Sequence, residues 1–264
     1  MEKLEAFRQL GLSEKALEAI QAKGFEQPSP IQKITIPVLL TETGDVIAQA
    51  QTGTGKTAAF GLPIIEMLEG QPSGIKALVL VPTRELALQV CDEIISLAAK
   101  RVVVAAVYGG QSISEQQRRI KKGVDVVVGT PGRILDLISR GDLDFSKLMM
   151  FVLDEADEML RMGFIDAVED ILQHTPEERQ VALFSATMPE AIHRIARTYL
   201  REPVEIKIKS ATKTVSAIRQ RYWQVSGTHK LDALTRILEV EDSNAWIIFV
   251  RTKTATVELA ERLE

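Results

Sequence analysis

Two groups of polar residues, far apart in the chain, have the types and order needed to handle a polyphosphate. The first is Ala50-Gln51-Thr52-Gly53-Thr54-Gly55-Lys56-Thr57, and the second is the adjacent pair Asp154-Glu155. In the first, glycines bring the backbone close to phosphate oxygens, and the loop N–H groups and a following helix N-terminus face the negative charge. Lys56 reaches the outer phosphates, and the Thr57 hydroxyl takes Mg²⁺. The general form of such a loop has Gly where this chain has Ala50. In the second, Asp154 would orient the Mg²⁺ through its water shell, and Glu155 would position and deprotonate an attacking water. Taken singly, each group also has a plainer reading. One is a strand–turn–helix corner that carries Gly-Lys-Thr, and the other a pair of acids facing a helix dipole.

These residues need elements to hold them. From Asp45 onward, short β-branched runs alternate with helical stretches: residues 46–48, 77–81, 102–107, 124–128, 149–153, 181–184 and 204–208. The runs are continuously apolar, as in strands covered on both faces, and helices between them imply right-handed crossovers and a parallel sheet. Ligands of such sheets bind beyond the carboxyl ends of the strands, so the residues just after each run matter most. Those segments are Pro82-Thr83-Arg84, Tyr108-Gly109-Gly110-Gln111-Ser112, Gly129-Thr130-Pro131-Gly132-Arg133, Asp154-Glu155-Ala156-Asp157 and Ser185-Ala186-Thr187. Thr83, Thr130 and Ser185 also suit ordinary helix caps. Ahead of the sheet, Ser13 is an N-cap candidate for a helix that Gly24 stops. Pro28 and Pro30 then set an extended segment before a helix near Ile31. Phe25 offers a flat apolar face there, and Gln32 an amide that complements the adenine edge.

Composition narrows the class further. The chain has 264 residues, 45% of them apolar and 26% charged, which suits a soluble globular protein with a real core. A formal net charge of −4 argues against a surface that is basic throughout but leaves room for a local nucleic-acid groove. A single cysteine, Cys91, excludes an internal disulfide framework, fits a reducing cytoplasm and reads as a buried thiol. No apolar run has the length of a membrane span, and the three histidines lack metal-ligand spacing.

Residues 154–157 spell Asp-Glu-Ala-Asp. With 24–32, 50–57, 82–87, 109–110, 130–133 and 185–187 in that order, the whole chain resembles a DEAD-box ATP-dependent RNA helicase. Residues 157–164 and 182–192 resemble the bacterial cold-shock branch of that family, and Ala50 is what the family has at its position. The resemblance implies an α/β fold: a RecA-like parallel sheet with helices on both faces, of the P-loop NTPase type, plus a partial second α/β RecA-like domain. It implies that Phe25 stacks on adenine, that Gln32 reads its edge, and that Phe7 supports the segment 7–32. Residues 50–57 would hold ATP with Mg²⁺, and Asp154, Glu155 and Lys56 would carry the chemistry. Ser185 and Thr187 would link nucleotide state to the RNA site. Pro82, Thr83, Arg84, Gly110, Thr130, Pro131, Gly132 and Arg133 would lie along the RNA backbone without reading sequence.

The expected organisation is a first RecA-like domain over 1–208, a linker over 209–217 and the start of a second domain over 218–264. That start comprises a strand at 219–225, a helix bearing Leu231, Leu234 and Leu238, a strand at 246–250 and a helix from Thr254. No Ala-Arg-Gly-x-Asp or His-Arg-x-Gly-Arg segment is present, and in the resembled family these supply a second RNA contact and an arginine finger. The chain is therefore expected to bind nucleotide but to turn ATP over weakly and not to unwind RNA alone. It is expected to be a cytoplasmic monomer that can pack or exchange through the incomplete second domain. The alternative function is a nucleotide-switched RNA clamp without productive unwinding.

Overall fold

The computed structural model describes residues 4–41, 44–208, 219, 221–226, 229–243 and 245–263. The chain divides into two compact units, Met1–Ala211 and Thr212–Glu264.

In the first unit, helices α1 (Glu5–Arg8), α2 (Glu14–Ala22) and α3 (Pro30–Thr41) precede strand β1 (Val46–Gln49). Strand and helix then alternate: α4 (Lys56–Leu68), β2 (Ala77–Leu80), α5 (Arg84–Ala98), β3 (Val104–Val107), α6 (Ile113–Lys121) and β4 (Val126–Gly129). They continue through α7 (Pro131–Ser139), β5 (Met150–Leu153), α8 (Ala156–Arg161), α9 (Ile165–Gln173), β6 (Gln180–Ser185), α10 (Glu190–Tyr199) and β7 (Val204–Lys207). All seven expected strands form one parallel sheet, in the order β3-β4-β2-β5-β6-β1-β7.

The strands are apolar throughout because successive side chains feed two separate cores. Val79, Val126, Val128 and Val152 join Leu17, Ile36, Ile64 and Ile94 on the face covered by α2 to α5. Leu78, Leu80, Val127 and Phe151 join Ile134, Met159, Ile171 and Ile195 on the face covered by α7 to α10. The Phe60 ring of α4 meets Phe184 of β6 with centroids 5.2 Å apart and planes tilted by 59°, a favoured aromatic geometry. At the opposite end of the sheet, the buried Asp45 carboxylate accepts the N–H groups of Val181 and Arg201, each at 2.6 Å. This fixes the start of β1 against β6 and the approach to β7. Local signals behave as the sequence predicts: Ser13 caps α2 by accepting the Ala16 N–H at 3.3 Å, and the chain turns through Gly24 with φ at +74°.

The second unit, among its described residues, contains helices α11 (Lys230–Val240) and α12 (Lys253–Leu263) and no strand. Both helices were expected from the sequence. The expected strands at 219–225 and 246–250 are not formed: the described residues there lack ladder pairing. A strand is stabilised by a neighbour and by a covered face, whereas Ile247 is 81% and Phe249 91% exposed. The expected linker, 209–217, lies outside the described residues.

Candidate active site

β1 ends at Gln49, and the chain turns through residues 50–55 into α4. Gly53 and Gly55 have φ of +80° and +89°, left-handed values that favour glycine. A Cβ built on Gly55 would lie only 2.5 Å from Gln32 Nε2 and 3.2 Å from Ser29 Oγ, so this position has neither the conformation nor the room for a side chain. Lys56 opens α4 and is 5% exposed, with its ammonium turned back into the loop. It donates to Ala50 O at 3.3 Å and to Glu155 Oε1 at 2.9 Å, and lies 4.0 Å from Asp154 Oδ1. Thr52 Oγ1 donates to the same Glu155 oxygen at 3.1 Å, and Thr54 Oγ1 to Gln51 O at 2.7 Å. Thr57, half-buried, follows Lys56 on the first turn.

β5 delivers Asp154 and Glu155 to the same edge. Glu155 has φ of +56°, a left-handed value that is strained for a residue with a side chain. Asp154 is buried, and burial pushes its carboxyl up to about 7, against the pull of the Lys56 ammonium. The buried Asp154 carboxyl, 4.0 Å from Lys56 at the start of α4, and the hydroxyl of the following Thr57 are hard oxygen donors of the kind that Mg²⁺ takes, so their chemistry suits that ion.

Asp157, in the first turn of α8, joins this centre to β6. Its Oδ2 accepts the Thr187 N–H at 3.0 Å and the Thr187 hydroxyl at 2.8 Å. Ser185 Oγ accepts the Asp157 N–H at 3.1 Å and donates to Thr187 O at 2.7 Å. Burial opposes the charge on Asp157, but these bonds outweigh it and hold the carboxyl below the ordinary aspartate range. Gln49 Nε2 donates to Ala186 O at 3.1 Å, and the Ala50 N–H to Ser185 O at 3.1 Å. The segment 185–187 is thus bonded both to the phosphate-loop strand and to the carboxylate helix.

The segment before α3 reaches the same loop. Gln32 is 5% exposed; its Oε1 accepts the Ser29 N–H at 2.9 Å, and its Nε2 donates to Gly55 O at 3.1 Å. Phe25 is half-buried against the core, with Lys23 Nζ 5.9 Å from its ring centre, while Phe7 is fully buried in that core.

The remaining predicted residues gather at the carboxyl ends of β2, β3 and β4. Thr83 caps α5 by accepting the Leu86 N–H at 3.2 Å. Pro131, at the first position of α7, is buried, and the Thr130 hydroxyl makes no capping bond. Arg84 and Gly132 are exposed, and Arg133 Nη1 donates to Gln111 O at 3.2 Å. The sheet order therefore splits the functional edge. β3-β4-β2 carry Gly110, Thr130–Arg133 and Pro82–Arg84, while β5-β6-β1 carry Asp154-Glu155, Ser185–Thr187 and the phosphate loop. Sequence reasoning gave no site role to Ser29, Gln49 or Asp157. Asp157 had a legible signal, a further acid three residues after Asp154, and so did Ser29, which stands three residues before Gln32 in a capping-box spacing and bonds with it locally; Gln49 is set by tertiary contact alone.

A parallel α/β sheet of this order, with a glycine loop after β1 and carboxylates after β5, is the RecA-like fold of the P-loop NTPases. The model of the DEAD/DEAH box helicase family matches residues 29–195, and the chain belongs to that family. It is 54% identical over 260 residues to "ATP-dependent RNA helicase DeaD" of Escherichia coli (strain K12), covering 98% of this chain and 41% of that protein. It is 51% identical over 261 residues to "DEAD-box ATP-dependent RNA helicase CshA" of Geobacillus kaustophilus, covering 98% of this chain and 56% of that protein. The chain thus spans about half the length of these two relatives. Among solved structures, a DEAD box protein from the hyperthermophile Methanococcus jannaschii is similar at 44% identity with a TM-score of 0.75, covering 98% of this chain and 69% of that one.

Proposed function

We propose that this chain carries the ATP-binding and first RNA-contacting part of an ATP-dependent RNA helicase. The observation that supports this best is the contact of Lys56 Nζ with Glu155 Oε1 at 2.9 Å, at the mouth of a loop with two left-handed glycines. The two groups that phosphoryl transfer needs, a phosphate cation and a carboxylate for water, are already within reach of one another. The names of the relatives support the same reading.

In this reading, Phe25 stacks on adenine and the Gln32 amide reads its edge. The N–H groups of residues 51–55 and Lys56 hold the phosphates. Thr57 and Asp154 would hold Mg²⁺, which when bound would neutralise charge on the phosphate oxygens. Glu155 orients a water toward the terminal phosphate and takes its proton, a role that requires Lys56 to move from Glu155 to the phosphates. The bonds from Asp157 to Thr187 and from Gln49 to Ala186 carry nucleotide state across β6. Arg84, Gly110, Thr130 and Arg133 take RNA phosphates by hydroxyl, N–H and guanidinium contacts that do not read sequence. Residues 209–217 serve as a linker, and residues 218–264 begin a second RecA-like domain. The protein works in the cytoplasm, with this chain monomeric.

The test is a parallel titration with ADP and GDP, followed by ATP turnover with and without single-stranded RNA. ADP preference together with RNA binding is the expected result, and equal binding of the two nucleotides would overturn the adenine assignments. RNA binding that leaves ATP turnover unchanged even with a second RecA-like domain supplied would favour the clamp reading.

A further inference from the structure

We infer that Tyr108 and Gln116 are positioning residues that preassemble the RNA-backbone site, an inference that rests on the RNA reading above. Both are buried: Tyr108 is 5% and Gln116 4% exposed. Their contacts converge on the loop between β3 and α6. The Arg84 guanidinium lies over the Tyr108 ring, 5.1 Å from its centre, so this exposed cation is held from below by a buried aromatic face. Gln116 Nε2 donates to Tyr108 O at 2.9 Å and to Gln111 Oε1 at 3.3 Å, bracketing Gly109-Gly110 from both sides. Arg133 completes the bracket through Gln111 O. A Cβ built on Gly110 would lie 4.0 Å from Arg84 Nη1, so loop and guanidinium are neighbours as well as co-anchored.

Three candidate phosphate contacts, on α5, the β3–α6 loop and α7, are thus tied to one buried tyrosine and one buried glutamine. Packing alone does not account for the glutamine. Its Oε1 is buried without a hydrogen-bond partner, a cost that a leucine of similar size would not carry. What the amide contributes is the pair of bonds that it donates to the loop. A backbone-reading site depends on several weak contacts being in place together, so loosening this loop costs affinity at every phosphate that it presents.

The experiment measures binding of a labelled single-stranded oligouridylate by the unsubstituted chain and by Tyr108→Leu, Tyr108→Phe and Gln116→Leu, across a series of salt concentrations. Tyr108→Leu should weaken RNA binding by about two- to thirtyfold, the range carried by one cation–π contact, with Tyr108→Phe restoring it. Gln116→Leu should weaken binding and flatten the salt dependence by about 0.7 in slope for each phosphate that the protein no longer engages. ADP affinity, which reports a folded nucleotide site, should stay unchanged in all three. If RNA affinity and salt slope are unchanged in Tyr108→Leu and Gln116→Leu, or if ADP affinity falls in parallel with RNA affinity, the inference is overturned. If the unsubstituted chain binds no RNA, the RNA reading itself falls and takes the inference with it.

Discussion

Lys56 and Glu155, 99 positions apart in the chain, are hydrogen-bonded to one another at 2.9 Å, with side chains only 5% and 15% exposed. The cation proposed to bind phosphate thus faces and neutralises the carboxylate proposed to activate water. In the proposed reading, polyphosphate competes for this lysine and its arrival releases the carboxylate for chemistry.

Removing either partner separates these roles. Lys56→Ala leaves the buried Asp154 and the part-buried Glu155 without the cation that faces both, a loss that costs up to about 3–5 kcal/mol when the groups are fully buried. Loss of ADP binding and a lowered urea midpoint are expected. Glu155→Gln removes the competitor, so ADP affinity should hold or rise while any ATP turnover falls by about 10²–10⁴-fold. Calorimetric titration of both variants checks this, and weaker ADP binding by Glu155→Gln would contradict it.

Gln32→Ala removes the proposed adenine reader together with the bond to Gly55 O. About a tenfold loss of ADP affinity, or ~1.4 kcal/mol, is expected, with GDP binding changed less. An ADP-to-GDP ratio that stays fixed would show that Gln32 does not read the base.

Gly55→Ala combines left-handed strain with a clash on the Gln32 amide. The strain costs about 1–2 kcal/mol, and the clash pushes Gln32 out of its seat. A lower thermal midpoint should accompany weaker ADP binding. Gly53→Ala has the same strain and no neighbour within 4 Å, so it separates strain from displacement.

Cys91 supplies a pH test away from the site. Burial pushes its thiol from 9.0 up to about 11. The folded value lies above the unfolded one, so its contribution to stability is complete below about 9 and is lost as pH rises through about 11. Urea midpoints should fall more steeply over that window than in Cys91→Ala. Alkylation of the native protein near neutral pH should be slow, and fast once unfolded.

The seven strands were legible because two-sided burial leaves an uninterrupted apolar run, as at residues 77–80 and 126–128. Sheet order was not: nothing in the pattern of residues 46–49 says that β1 lies between β6 and β7. The site could be read as a set of residues but not as a set of bonds. Glycine spacing and adjacent acids signal chemistry locally, whereas the contacts of Lys56 with Glu155, Gln32 with Gly55 and Gln116 with Tyr108 are made by packing. The strands expected at 219–225 and 246–250 show the converse: β-favouring composition expresses itself only where a neighbouring strand pairs with it.

If Gln32 reads the base as proposed, its bond to Gly55 O makes one side chain answer to two parts of a nucleotide. A base that engages the Gln32 amide also bears on the carbonyl that shapes the phosphate loop, and a phosphate that tightens the loop reseats the amide. The two recognition events are linked thermodynamically, each altering the other by the same factor. Discrimination among bases would then be felt where the phosphates are held, and a nucleotide with the wrong base would be disadvantaged at its triphosphate as well as at its ring.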